Sequence, residues 1–391
     1  QGKNSRETKK AQKEYDRLTS KINQANLASK NFSKKGLGSM ARGFKNILFA
    51  FGAFSALQMF VNLVKSSVKT VIEFDKQLIS VSKTTNIAKK QLDLFGRQAI
   101  ILGSKLKGIS TKNLMKAAEI AGQLGVRGVS NILKFSATIE KLALTSDIIG
   151  TDSARSFAKF IELSNDSVEN ADRLGSVITD LGNNFAATEG EILKNTTEIQ
   201  RGISIYKTSA HSVIGLGAAT SALGAQAEAS RGALQKTFKV LNDGASAGVN
   251  LEKILKLTGQ TAEEFKKEFS KDSVSVFRKF VKGLHESDKS GENLSNTLRG
   301  LNLQEKRTEA VVGSLAKNYN ILEDALNRAN TEYSENIALN TEYDKATESL
   351  SSNISDLTDA WDNLVLSVMK GDGEISKFFK NAVQDFTDFV K

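Results

Sequence analysis

Proline is absent from all 391 residues. Average usage would place roughly 20 in a chain of this length. Proline interrupts helix interiors because it lacks an amide donor and clashes with the preceding turn. A chain without it is biased toward long, uninterrupted helices. Cysteine is absent too, which excludes disulfides, thiolate zinc sites and cysteine nucleophiles and fits manufacture in a reducing cytoplasm. The two histidines, His211 and His285, lie far apart, and neither has a partner at metal-ligand spacing. Each reads as a surface or helix-end residue. There is no GxxxxGK[ST] phosphate loop, no HExxH and no helix-loop-helix calcium loop. Gly215-Leu216-Gly217 opens a GxGxx run, but Thr220 stands where the third glycine belongs. Close helix packing through the small residues of GLGAATSALGA accounts better for that run. Gly371-Asp372-Gly373-Glu374 reads as a turn, and the phenylalanines fall at helix spacing, as core residues do. No catalytic, cofactor-binding or metal site is expected, and the chain does not read as an enzyme.

What is present is enough apolar matter for a sizeable core: 40% of residues are hydrophobic against 25% charged. Length suggests two or three domains. The net charge of +10 is uneven: residues 1–45 carry +9, and Asn320 to Lys391 carry −8. The chain opens on Gln1 and breaks off inside an amphipathic pattern, so it reads as an excerpt of something longer. No signal-peptide pattern is visible.

The fold class expected is all-α: an array of amphipathic helices with long heptad-patterned helices at both ends. Residues 1–38 form a basic arm in which Ala11, Tyr15, Leu18, Ile22, Ala25, Ser29 and Phe32 alternate steps of four and three, a weak heptad seam. Such an arm suits a solvated helix face, nucleic acid, lipid phosphates or an acidic protein lumen. Residues 39–73 hold an apolar helix, with no charge from Asn46 to Val64. Its Phe49, Phe51, Phe54, Leu57 and Phe60 are the candidate membrane segment, while Gly52 and Ala56 suit close packing in lipid or in a protein bundle. Burial in a bundle, latent insertion and a resident anchor all remain open.

Residues 74–300 read as a string of short helices. Thr188-x-x-Glu191 and Thr261-x-x-Glu264 are capping boxes, and Asp152 and Asn250 are further N-cap candidates. Glycines 103, 125, 150, 182, 224 and 259 sit where helical runs stop. Ile132, Phe135, Ile139 and Leu142, then Phe157, Phe160, Ile161 and Leu163, mark buried stripes.

Residues 301–371 carry the clearest period. From Leu315 through Tyr319, Leu322, Leu326, Ala329, Tyr333, Asn336, Asn340, Tyr343, Thr347, Leu350, Ile354, Leu357, Trp361 and Leu364 to Val368, steps of four and three alternate without interruption. This spacing predicts one helix spanning roughly 80 Å. The candidate oligomer seam is Leu315, Leu322, Leu326, Asn336, Asn340, Leu350, Ile354, Leu357, Trp361 and Leu364. The same helix could instead pack on its own chain. Gly371-Asp372-Gly373 stops it, and residues 372–391 start a further amphipathic helix.

Three stretches of the middle region resemble a known family. AAEIAGQLGVRGVSNILKFSATIEKLALTSDI, Ala117 to Ile148, is similar to the first block of the phage tail tape measure core region, in which a Gly-Gln-Leu-Gly turn joins two helices; here it is Gly122 to Gly125. RLGSVITDLGNNFAATEGEIL, Arg173 to Leu193, resembles a second block, and LGNNFAATEGEI is its most specific string. LGAATSALGAQAEASRGALQKTFKVL, Leu216 to Leu241, resembles a third, with Gln226-Ala227-Glu228 in the turn and Ala225 where the family often has glycine-isoleucine. The resemblance covers about Phe74 to Leu315.

That resemblance implies a structural protein of the tail lumen, present in the host cytoplasm during assembly and at the host membrane at infection. Tube subunits polymerise around such a protein, its length sets tail length, and it leaves ahead of the DNA. The implied partners are further copies of itself, the tail tube protein, tail assembly chaperones, distal tail or baseplate proteins and, transiently, a host membrane. No cofactor and no specific nucleic acid are implied. The competing readings are a membrane-active helical protein forming a passage in the host envelope and a coiled-coil scaffold unrelated to phage.

Overall fold

The computed structural model describes residues 70–348, and among them every regular element is a helix. The expected all-α class holds. The described residues fall into two compact units, one of 70–80 and 89–112, the other of 81–88 and 113–348. The basic arm, nearly all of the apolar stretch with Phe49, Phe51, Phe54, Leu57 and Phe60, and everything after 348 lie outside the described residues. The N-terminal heptad seam and the part of the C-terminal one beyond 348 lie there with them. No helix among the described residues is long and apolar enough to cross a membrane.

In the smaller unit, helix α1 (70–85) meets α2 (Lys89–Lys105). Phe74 and Leu78 are buried against Gly96, where a Cβ would touch the Phe74 ring at 3.4 Å. Gly103, expected to end a helix, lies inside α2. A side chain there would crowd Thr111, whose backbone nitrogen would be 3.1 Å away.

Helix α3 (Thr111–Gln123) leads into the larger unit. There follow α4 (Val129–Thr145), α5 (Gly150–Leu163), a 3₁₀ turn (Val168–Asn170), α6 (Ala171–Asn184), α7 (Glu189–Ile203), α8 (Ala210–Ala222) and α9 (Ala227–Ala247). Then come α10 (Leu251–Thr258), α11 (Ala262–Phe269), α12 (Ser273–Lys289), α13 (Leu294–Gly300), α14 (Lys306–Lys317), α15 (Tyr319–Glu335) and α16 (Ala338–Thr347).

Helices α7 and α8 form the centre. α8 is apolar on all sides, as a helix surrounded by protein must be, and it packs on α6, α7 and α15. Its small residues admit close approach: a Cβ on Gly215 would stand 3.1 Å from the Ala325 carbonyl. α7 packs on α5, α8 and α9 and buries Ile192, Leu193, Ile199 and Ile203. Tyr206, Phe238, Phe269 and Phe277 form an aromatic cluster, with Phe238 and Phe277 stacked at 5.2 Å. Each fully buried phenylalanine contributes about 2–3 kcal/mol by leaving water. That cluster pins the loop between α7 and α8.

Local signals set many boundaries. Both capping boxes form, Thr188 with Glu191 and Thr261 with Glu264. Gly125, Gly224 and Gly259 take left-handed φ values of 84°, 73° and 67° just past helix ends. Other expectations fail. Gly150 opens α5 and Gly182 lies inside α6, where the Glu189 side chain covers it. Asp152 sits in the first turn of α5, whose N-cap is Ile149. Asn250 holds the N-cap position of α10 with a φ of 56° and makes no side-chain cap. Of the two expected stripes, Leu163 alone is only half-buried.

The largest correction concerns the long rod. Between Leu315 and Thr347 the chain forms three helices, broken at Asn318 and at Asn336–Ile337. No domain boundary falls near 300 either: α14 packs on α9 and α12, and α15 packs on α6 and α8. The reason is burial. Leu315, Leu322 and Ala329 are fully buried within the chain and Leu326 is nearly so. A straight rod would carry them away from that core.

Candidate functional site

The break at Asn336 is held by α6. Helix α15 runs antiparallel to α6, because successive steps of four on one meet successive steps of four on the other. Arg328 pairs with Asp180 at 3.1 Å, Glu332 Oε1 accepts from Ser176 Oγ at 2.6 Å, and Asn336 Nδ2 donates to Asp172 Oδ2 at 3.0 Å. At the end of α15 the Arg173 guanidinium donates to the Tyr333 carbonyl at 2.7 Å and to that of Ser334 at 3.3 Å. These carbonyls would otherwise lack partners at a helix C-terminus. Asn336 then turns left-handed, with φ 56°.

Glu332 is 7% exposed and caps the next helix. Its Oε1 accepts from the amides of Ile337 at 2.7 Å and Ala338 at 2.8 Å. Ser176 Oγ in turn accepts from the Leu339 amide at 3.0 Å. α16 then runs back along α6: Leu339 covers Gly175, and burial, with Asp147 and Glu342 adding to it, raises the pKa of Glu189. Thus α15 and α16 form a hairpin on one helix, and its corner is sealed by Asp172, Arg173 and Ser176. Over α16, Lys141 of α4 donates to Asn340 at 2.6 Å and lies 5.0 Å from the Tyr343 ring.

A cleft of about 230 Å³ shares Tyr333 with this corner. Asp166, Gln200, Tyr206, Ser209 and His211 also line it. His211, in the first turn of α8, stacks on Tyr333 with ring centres 4.5 Å apart. Burial pushes its pKa below the ordinary 6.5, against the pull of Asp166 and Asp272. A neutral imidazole results at neutral pH. Ser209 Oγ lies 3.3 Å from His211 Nε2 but gives its proton to Ser212 at 2.6 Å. Gln200 is 1% exposed and donates to the Leu163 carbonyl at 3.0 Å, while its Oε1 accepts no bond from protein. His285 is an anchor too: its Nδ1 lies 2.8 Å from the Ala316 carbonyl at the end of α14. Both histidines are thus partly enclosed and tied into the packing.

Of the candidate seam residues, Leu315, Leu322 and Leu326 line the internal core, Asn336 is the corner, and Asn340 is exposed beside Lys141. Leu339, not Asn340, faces inward on α16. The seam is therefore interrupted between Ala329 and Tyr343. Leu350, Ile354, Leu357, Trp361 and Leu364 lie outside the described residues. The sequence offered no local signal for Ser176 or Arg173, whose partners lie about 160 residues away. Asn336 carried one, since asparagine is the commonest non-glycine residue in left-handed helix ends. No group of His, Asp and Glu suited to a metal ion occurs among the described residues. Compared with models of known protein families, with curated proteins and with solved structures, the chain finds no match.

Proposed function

We propose that this chain is part of a phage tail tape measure protein. It is a structural protein whose helical length sets the length of the tail and which leaves ahead of the DNA. The observation that carries the reading is the LGNNFAATEGEI string, which spans the end of α6, a short turn and the capping box that starts α7. The other resembling stretches also lie on pairs of consecutive helices. Gly122 and Gln123 end α3, Leu124 and Gly125 begin the turn to α4, and α8 and α9 flank the turn at Gly224. The second and third stretches supply α6 to α9, which pack on one another at the centre of the larger unit.

The physics suits such a role. An α-helix rises about 1.5 Å per residue, so residue number converts linearly to distance. The absence of proline lets helices extend without kinks. Tube protein, assembly chaperones, distal tail proteins and further copies of the chain would be the partners.

Tails purified from particles that encode this chain test the reading by mass spectrometry. The account expects the protein in intact tails and its loss after triggered ejection. Tails that never contain it would end the proposal. The membrane-active alternative rests on Asn46 to Val64. A peptide spanning Arg42 to Lys69 that fails to partition into liposomes would remove that support.

A further inference from the structure

We infer that residues 319–347 are a two-state element: a hairpin latched on α6 in the compact form, and one continuous helix when the latch is released. The inference does not depend on the phage reading. Two observations carry it. In sequence, steps of four and three run from Leu315 to Val368 with no proline or glycine to stop a helix. In the structure, the helix stops at Asn336 and reverses.

Besides the local Asn336 turn and the Glu332 cap, the groups that stop it come from α6. Arg173 takes the Tyr333 and Ser334 carbonyls. Asp172 holds the Asn336 side chain, and Ser176 bridges Glu332 to the Leu339 amide. A continuous helix would satisfy the same backbone groups internally, through bonds from each amide to the fourth carbonyl before it. It would also return Asn336 from the left-handed region to the helical one.

Only α16 has to leave. Helix α15 keeps its bonds from Arg328 to Asp180 and its burial on α8. What is lost is the seat of Leu339, Tyr343 and Thr347 on α4 and α6, with the Lys141 contacts. What is gained is an unbroken helix in which Asn336, Asn340, Tyr343 and Thr347 share the stripe of Leu322, Leu326 and Ala329. The inward face of α16 shifts by one residue on release: Tyr343 and Thr347 serve both packings, while Leu339 is buried in the hairpin and Asn340 lies on the stripe of the straight helix. Two packings that interconvert without passing through continuous deformation make a switch.

The chain has no cysteine, so a pair introduced at exposed Asn320 and Asp344 takes spin labels at those two positions alone. On a continuous helix these positions are about 36 Å apart. In the hairpin, with both helices seated on α6, they are about 20 Å apart, given helix rise and the spacing of each helix from α6. Pulsed electron resonance on the full N320C/D344C chain should give the short distance. Asn336→Ala disfavours the left-handed turn, and Ser176→Ala removes the bridge without touching the segment itself. Each should transfer population to the long distance, with helical circular dichroism kept or raised. Asn336→Gly, which welcomes the turn, should keep the short one. If both release variants stay short, the latch is wrong. If they give a broad distribution with lost helicity, α16 melts instead of joining α15, and the two-state inference fails.

Discussion

Gly217 of α8 lies against Thr196 of α7 so closely that a Cβ would fall well inside contact distance of the Thr196 hydroxyl and 3.0 Å from its backbone nitrogen. The Thr196 backbone cannot yield without moving the central helix. Gly217→Ala should therefore cost about 3 kcal/mol, the upper range for overpacking. Gly232 of α9 is the contrast: it is exposed, helical and has nothing within 4 Å of a built Cβ. Gly232→Ala should stabilise by about 0.5–1 kcal/mol through helix propensity. Urea denaturation of the two variants reads both signs.

These two glycines also show what was legible in the sequence. Helix starts that depend on residues three apart, such as Thr188 with Glu191, were readable because the cap is local. So was the small-residue character of α8. Gly103 and Gly182 look like stops in the sequence, because a glycine needed for close approach looks the same there as one needed for a turn. The rod from Leu315 was misread for a related reason. The residues that break it, Arg173 and Ser176, sit on a helix far away along the chain. Periodicity reports local helix and a buried stripe, and α15 has both. It does not report whether the stripe is buried by a second copy or by the chain itself.

Glu140 of α4 gives a pH dependence. Burial raises its pKa from 4.5 to about 7, against Lys116 and the Asn113 side chain. The folded state thus binds this proton more tightly than the unfolded one. Its contribution is fully present below pH 4.5 and is lost as the pH rises through 7. At most about 3 kcal/mol is at stake. Glu140→Gln should match the parent at low pH and be more stable at pH 8, by thermal melting across the range.

His211 has the opposite slope. Burial lowers its pKa from 6.5, so the unfolded state binds the proton more tightly. Its contribution is present above 6.5 and is lost as the pH falls below it. His211→Phe keeps an aromatic face for Tyr333 but cannot titrate. Stability of that variant should fall less than the parent's as the pH is lowered from neutrality; an unchanged slope would assign the acid sensitivity elsewhere.

The two capping boxes should each be worth about 1 kcal/mol. Thr188→Ala and Thr261→Ala both strip a hydroxyl that accepts an amide proton, from Glu191 and Glu264 respectively. Hydrogen exchange should show faster opening confined to the first turn of α7 in one variant and of α11 in the other.

The most direct measurement of the central claim is tail length against residue number. Whole heptads are inserted or deleted after Leu350 in the full-length protein, and tails are measured by electron microscopy. The account predicts a linear change of about 10 Å per heptad, the rise of seven helical residues. Tails of unchanged length across the series would contradict it.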